Sequence, residues 1–212
     1  MIKDVLQALI HLIQEDEEES ENLLHGVCLA LGELSSVGLV QPSMLPSVIK
    51  ILKKALLFET IKGVHASGNI VRDAGCYISW AFARGFDSQD LSPFVEELAN
   101  ELLLVALFDH QGNCRRAAAA AFQENVGRQG NFPNGIEIIS EMDFFSVGLS
   151  TNAFTRIAPF VASYPQYTHR FLDHLANNRL CHISEEVRVL SAHSLALISL
   201  FDPEYVLSLI HI

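Results

Sequence analysis

The chain repeats one helix opening at long, nearly regular intervals, and that recurrence narrows its architecture more than any local motif. Val71-Arg72-Asp73-Ala74, Cys114-Arg115-Arg116-Ala117 and Val187-Arg188 each follow a turn. Arg72 and Arg115 stand 43 residues apart, and the 73 residues from Arg115 to Arg188 divide into 37 and 36 if Asn152 fills the missing slot. His25 takes an earlier slot, 47 residues before Arg72. Three residues past each slot lies a small side chain: Cys28, Gly75, Ala118, Thr155 and Ser191. A period of 36 to 47 residues with a small residue at a fixed offset marks helix pairs stacked in series. The pattern predicts an all-α, HEAT/armadillo-like α-solenoid of about five imperfect helix-pair units, each closing with an inner helix that begins at the slot. The competing architecture is an unrelated helical bundle whose turns are evenly spaced.

The inner helix over 113–127 is the most explicit. Cys114, Ala117, Ala118, Ala121, Phe122 and Asn125 recur at three-and-four spacing, so its packing stripe is small and admits a close neighbour. Gly127 and Gly130 supply its stop. Further helices are expected over 2–14, 22–34, 44–58 and 70–84, and from Ser92 and Pro93 to Phe108 with Ser92 as cap. A weakly written helix around 136–142 then precedes 151–163, which Pro159 kinks or ends early. Helices over 167–177 and 185–201 follow, and a last one opens at Asp202. The glycine-rich stretch 63–69 reads as a loop. The acidic run Glu15–Glu21 reads as a solvated connection, because it lacks the alternating ligands and turn glycine of an EF-hand. Residues 1–212 are expected to form a single solenoid segment of a longer array, since the last apolar helix reaches Ile212 without a polar terminal cap.

Charge excludes one class of partner. With 14 Lys plus Arg against 25 Asp plus Glu, the net charge is −11, which argues against general nucleic-acid binding. No stretch is apolar for long enough to span a bilayer and no secretory cleavage pattern opens the chain, so no membrane insertion and a cytoplasmic location are expected. Cys28, Cys76, Cys114 and Cys181 lack metal-ligand spacing and are expected to be reduced packing residues. His65, His169, His174 and His182 form no HExxH, Ser67-Gly68 is no nucleophile elbow, and the 63–69 loop lacks the Gly-Lys-Ser/Thr ending of a phosphate loop. The expectation is a non-catalytic scaffold with no metal and no cofactor. Lys50, Lys53 and Lys54 share a helix face, either as an interaction patch or as ordinary solvation. Trp80 is either a recognition residue or part of the packing. Arg115 recurs as a slot and is expected to bond between repeats, whereas Arg116 does not recur and is the better candidate for exposure.

The stretches SGNIVRDAGCYISWAFAR (67–84) and NCRRAAAAAFQENVGRQG (113–130) resemble the tubulin-specific chaperone D family, also called tubulin-folding cofactor D. Residues 24–34 and 160–175 are similar to the same family's middle region, and the resemblance runs over essentially the whole chain. It implies a part in tubulin heterodimer assembly or disassembly, with beta-tubulin, the other tubulin-folding cofactors and an Arf-like small GTPase as partners. It further implies association with the microtubule cytoskeleton and promotion of GTPase turnover within a larger assembly. It supplies no catalytic residues. Asn125 to Arg128 match the family's signature, which is equally a helix end fixed by polar bonds and Gly127. The candidate partner contacts are Arg116, Arg128, Lys50, Lys53 and Lys54. Arg72, Arg115, Arg188, Ala118 and Gly127 are the candidate structural positions. The alternative is a generic interaction or transport solenoid without tubulin specificity.

Overall fold

The computed structural model describes residues 2–15 and 20–210. Most of the acidic run expected as a solvated connection lies outside the described residues. The elements run α1 (Ile2–Glu15), α2 (Glu21–Ser36), α3 (Leu45–Leu56), β1 (Thr60–Lys62), β2 (His65–Ser67), α4 (Asn69–Gly85), α5 (Ser88–Leu91), α6 (Val95–Phe108), α7 (Gly112–Gln129) and α8 (Gly135–Glu141). They continue with α9 (Ser150–Asn152), a π-helical turn over Ala153–Ile157, α10 (Ala158–Ala162), α11 (Pro165–His174), a second π-helical turn over Leu175–Arg179, α12 (Glu185–Ile198) and α13 (Pro203–Ile210). The fold is a HEAT/ARM-like α-solenoid. Inner helices α2, α4 and α7 pack in series, each against its own outer partner, and α12 continues that inner row after 150–162.

Small residues set how closely the inner helices approach. Cys28, Gly75, Ala118 and Ser191 are buried, while Thr155 stays half-buried. A Cβ on Gly85 would stand 2.0 Å from the Ser35 carbonyl oxygen, so the ends of α4 and α2 meet backbone to backbone. Larger apolar groups fill the spaces between rows: Phe82, Phe108, Phe122, Phe154 and Phe171 are all inaccessible. Helix α6 is buried from Leu98 to Phe108, because α3 and α11 flank it while α7 and the 153–157 turn close its remaining sides, and only Glu96 and Glu97 in its first turn reach solvent. A helix whose last three turns are mostly apolar on every side belongs in such a position.

Several local expectations change. The stretch 63–69, expected as a loop, instead holds the turn and second strand of a small antiparallel hairpin in which Thr60–Lys62 pairs with His65–Ser67. Gly68 then opens α4 at φ +102°, where a Cβ would come 2.8 Å from the Phe58 carbonyl, so both torsion and space call for glycine. Ser92 does not cap α6; Ser92–Phe94 forms a 3₁₀ turn, and the helix starts at Val95. Gly127 does not stop α7, which continues to Gln129 and ends at Gly130 with φ +67°. Pro159 does not end the helix early: a π-helical turn over Ala153–Ile157 precedes it, and α10 carries the helix on to Ala162. Cys181 is exposed, unlike the other three cysteines.

Gly85→Ala is expected to lower unfolding free energy by roughly 1–3 kcal/mol through overpacking, and Ala118→Leu by a similar amount. Gly127→Ala, in an open helical position with nothing within 4 Å of the added Cβ, is expected to raise it by about 0.5–1 kcal/mol. Urea unfolding of the three variants measures all three signs.

Candidate partner-binding face

The slot arginines occupy the edge where outer helices turn into inner ones, and each reads backbone. Arg72, 1% exposed, donates to the Phe58 carbonyl at 2.7 Å and to Asp109 in the next turn. Arg115 donates to the Asp109 carbonyl of its own turn and to the Val147 and Gly148 carbonyls of the following one, each at 2.7 Å. Arg188 reaches the His182 and Ile183 carbonyls at 2.8 Å, and Asn152 reaches the Ser146 carbonyl at 3.1 Å. In the first slot, His25 lies near enough to Asp73 for its charge to oppose the rise in pKa that desolvation imposes on that carboxyl.

Behind these brackets, three turns bring Glu59, His110 and His182 together, with one donor atom from each within 4.8 Å of the others. Two imidazoles and a carboxylate could hold a divalent transition ion. The hydrogen bonds oppose it. His182 Nδ1 accepts the Ser184 amide at 3.0 Å, and burial keeps the ring neutral by lowering its pKa, so the proton sits on Nε2. That protonated nitrogen is the one facing Glu59, 3.2 Å from Oε1 and off the line of a hydrogen bond. Glu59 also takes the Arg179 guanidinium at 2.9 Å, placing a fixed cation beside any ion. The donor set does not fit a resident metal. No sequence motif signalled this knot, because its members come from three separate turns.

A stripe across the inner row has more of the chemistry of recognition. Tyr77 lies over Gly32 of α2 and donates to Glu33 at 2.7 Å. It stacks with Trp80 at 5.9 Å between ring centroids, and Arg84 sits over the Trp80 ring at 4.5 Å. Arg84 then crosses to Glu124 on α7 at 3.0 Å, and Arg128 pairs with the same carboxylate. Trp80 and Tyr77 are half-buried, and Arg84 and Arg128 are exposed. Aromatic rings flanked by arginine are the groups that dominate protein interfaces.

The other candidate contacts lie elsewhere. Arg116 is half-buried: it stacks over Phe144 at 4.7 Å and donates to that residue's carbonyl at 3.3 Å. Lys50, Lys53 and Lys54 line a groove of about 750 Å³ on the outer row with Ile13, Phe94 and Glu97, and Lys53 pairs with Glu97. Sequence reasoning singled out Trp80 and Arg128 separately. It took Tyr77 with Trp80 as bulk on adjacent faces of one helix and missed Arg84 and Glu124 as their companions, although Tyr77, Trp80 and Arg84 share helical spacing.

The family described as "Tubulin-specific chaperone D-like, ARM repeats" matches residues 1–136. The chain belongs to the tubulin-specific chaperone D family. It is 41% identical over 186 residues to Tubulin-specific chaperone D of Dictyostelium discoideum, covering 87% of this chain and 13% of that protein. It is 30% identical over 216 residues to Tubulin-folding cofactor D of Schizosaccharomyces pombe, covering 96% of this chain and 20% of the relative. This chain therefore spans a fifth or less of these curated relatives. No solved structure matches it. The stretch matched to the chaperone D family contains the whole aromatic and arginine stripe, while Arg188 and the turns beyond 136 lie outside it. Among the described residues no helix is long and apolar enough to cross a membrane.

Asp109→Ala strands the buried Arg72 guanidinium and is expected to cost about 3–5 kcal/mol in urea unfolding. Arg128→Ala, which breaks an exposed pair, should cost less than about 1 kcal/mol. Burial also depresses the pKa values of His174, His110 and His182 below the ordinary histidine value. A base depressed in the folded state leaves stability intact above about pH 6.5 and removes it as pH falls below, since the unfolded chain takes the proton first. Stability should therefore drop between pH 7.5 and 5.5, by at most about 1.4 kcal/mol per pH unit per histidine. His174→Gln, which keeps an acceptor for Arg179, should flatten that decline.

Proposed function

We propose that this chain is a non-catalytic, cytoplasmic, partner-binding segment of a tubulin-folding chaperone that contacts beta-tubulin through the Tyr77–Trp80–Arg84–Arg128 stripe. It acts together with other tubulin-folding cofactors and an Arf-like small GTPase, whose nucleotide turnover the complete assembly promotes on the microtubule cytoskeleton. The observation that carries the reading is family membership across most of the chain, with relatives whose names state tubulin folding. The stripe is preferred as the contact because its rings are held rigidly by Gly32 and Arg84, so little side-chain freedom is lost on binding. Arg116 is a less selective probe, since reversing it also releases the Phe144 loop.

The test is titration of the protein with purified tubulin dimer. Trp80→Ala is expected to weaken binding by about 2 kcal/mol or more. The double reversal Arg84→Glu/Arg128→Glu should weaken it about tenfold or more while leaving the unfolding transition in place. Unchanged affinity in both variants would remove the stripe from the contact. Failure of the full-length chaperone containing this segment to bind tubulin would reject the function.

A further inference from the structure

The outer row holds a polar cleft that the stripe does not use. It opens where α11 packs against α6, has a volume of about 810 Å³, and is lined by Glu96, Glu97, Asn100, Glu101, Gln166 and Arg170 among others. Asn100 and Glu101 are buried, at 8% and 3% exposure. The Asn100 amide nitrogen donates to the Glu96 carbonyl at 2.9 Å and to the Gln166 carbonyl at 3.4 Å, which fixes which side-chain atom is oxygen. Its Oδ1 is left an acceptor without a donor. Glu101 Oε1 takes both Nε and Nη2 of Arg170, at 3.0 and 2.6 Å, and Oε2 has no donor. Two adjacent residues therefore carry buried acceptors in a cleft whose existing cations are already engaged, Lys53 by Glu97 and Arg170 by Glu101.

The unmet chemistry is specific. A carboxylate or phosphate would bring more acceptors and face three glutamates. A cationic donor supplies both the N–H groups and the charge, and a guanidinium offers five N–H groups in a planar fork. Burial outweighs Arg170 and holds the Glu101 carboxyl above its usual range, so its charge is under-compensated where it stands. Exposed Glu96 at the rim adds attraction for an approaching cation.

We propose that the cleft between α6 and α11 is a receptor for an arginine side chain of a partner protein, with Asn100 Oδ1 and Glu101 Oε2 accepting from the guanidinium. This site is independent of tubulin contact at the inner stripe, and either can fail without the other. The test titrates acetyl-arginine amide and its uncharged isostere acetyl-citrulline amide into the isotopically labelled protein, following backbone amide signals by NMR. The arginine compound should give saturable shifts confined to residues 96–101 and 165–170. Citrulline should bind about tenfold more weakly, and Glu101→Gln should weaken arginine binding by a comparable factor. If Glu101→Gln fails to fold, Glu96→Gln at the exposed rim should still weaken binding about twofold to threefold. Equal response to arginine and citrulline, or shifts outside the cleft, would overturn the proposal. Saturation by spermidine without saturation by the arginine compound would overturn it in favour of a free polyamine. A crystal structure in which a water bridging the two acceptors survives millimolar arginine compound would overturn it as well.

Discussion

The stacking of this molecule depends on guanidinium groups buried at the turn edge. Apolar packing between helices is non-directional and would tolerate sliding of one unit against the next. Arg72 and Arg115 do not tolerate it, because each bonds acceptors in its own turn and in the following one. A buried cation left without acceptors is costly, so any shift that breaks a bracket is opposed at once. Asp109 gains a second function from the same geometry. It neutralises Arg72 and also accepts the Gln111 amide at 2.7 Å, tying the start of α7 to the preceding inner helix.

The fourth unit shows how the array absorbs an imperfect repeat. Helix α8 is too short to serve as a full outer helix, and α11 packs directly on α6 in its place. Two π-helical turns accommodate the mismatch. The first lies just before Pro159. In the second, the Leu180 amide reaches the Leu175 carbonyl at 2.9 Å, and the wider turn carries Arg179 to Glu59, 120 residues away in sequence. The buried knot at Glu59 is thus a product of the irregularity rather than of the repeat.

The repeat was legible because its signal is redundant: an arginine, asparagine or histidine slot that follows a turn, and a small residue three positions on. The packing stripe of helix α7 could be read from its spacing, since Cys114, Ala118, Ala121, Phe122 and Asn125 are buried and Ala117 alone of that stripe is half-buried. What could not be read was anything set by two units meeting. Gly127 and Gly130 look alike in sequence, but only Gly130 takes a left-handed torsion. Arg116 looks free until the Phe144 loop folds over α7, and the hairpin at 60–67 has no alternating pattern long enough to announce it. Glu59, His110 and His182 carry no shared spacing at all. The stripe was half legible: Tyr77, Trp80 and Arg84 share one helix, but Glu124 lies 40 residues beyond Arg84.

Charge economy constrains how such a face can recognise anything acidic. The chain carries a net charge of −11, and its most deeply buried arginines are committed to turns. On the stripe, Arg84 and Arg128 share the single carboxylate of Glu124, leaving one surplus positive charge between them. An incoming carboxylate would therefore compete with Glu124 for donors already satisfied, and an exchange of one exposed pair for another yields little net free energy. Such an exchange selects for sign and geometry. Affinity has to come from desolvating Trp80 and Tyr77, whose orientation Arg84 and Gly32 already fix, so the arginines on this face serve the rings more than they serve the charge.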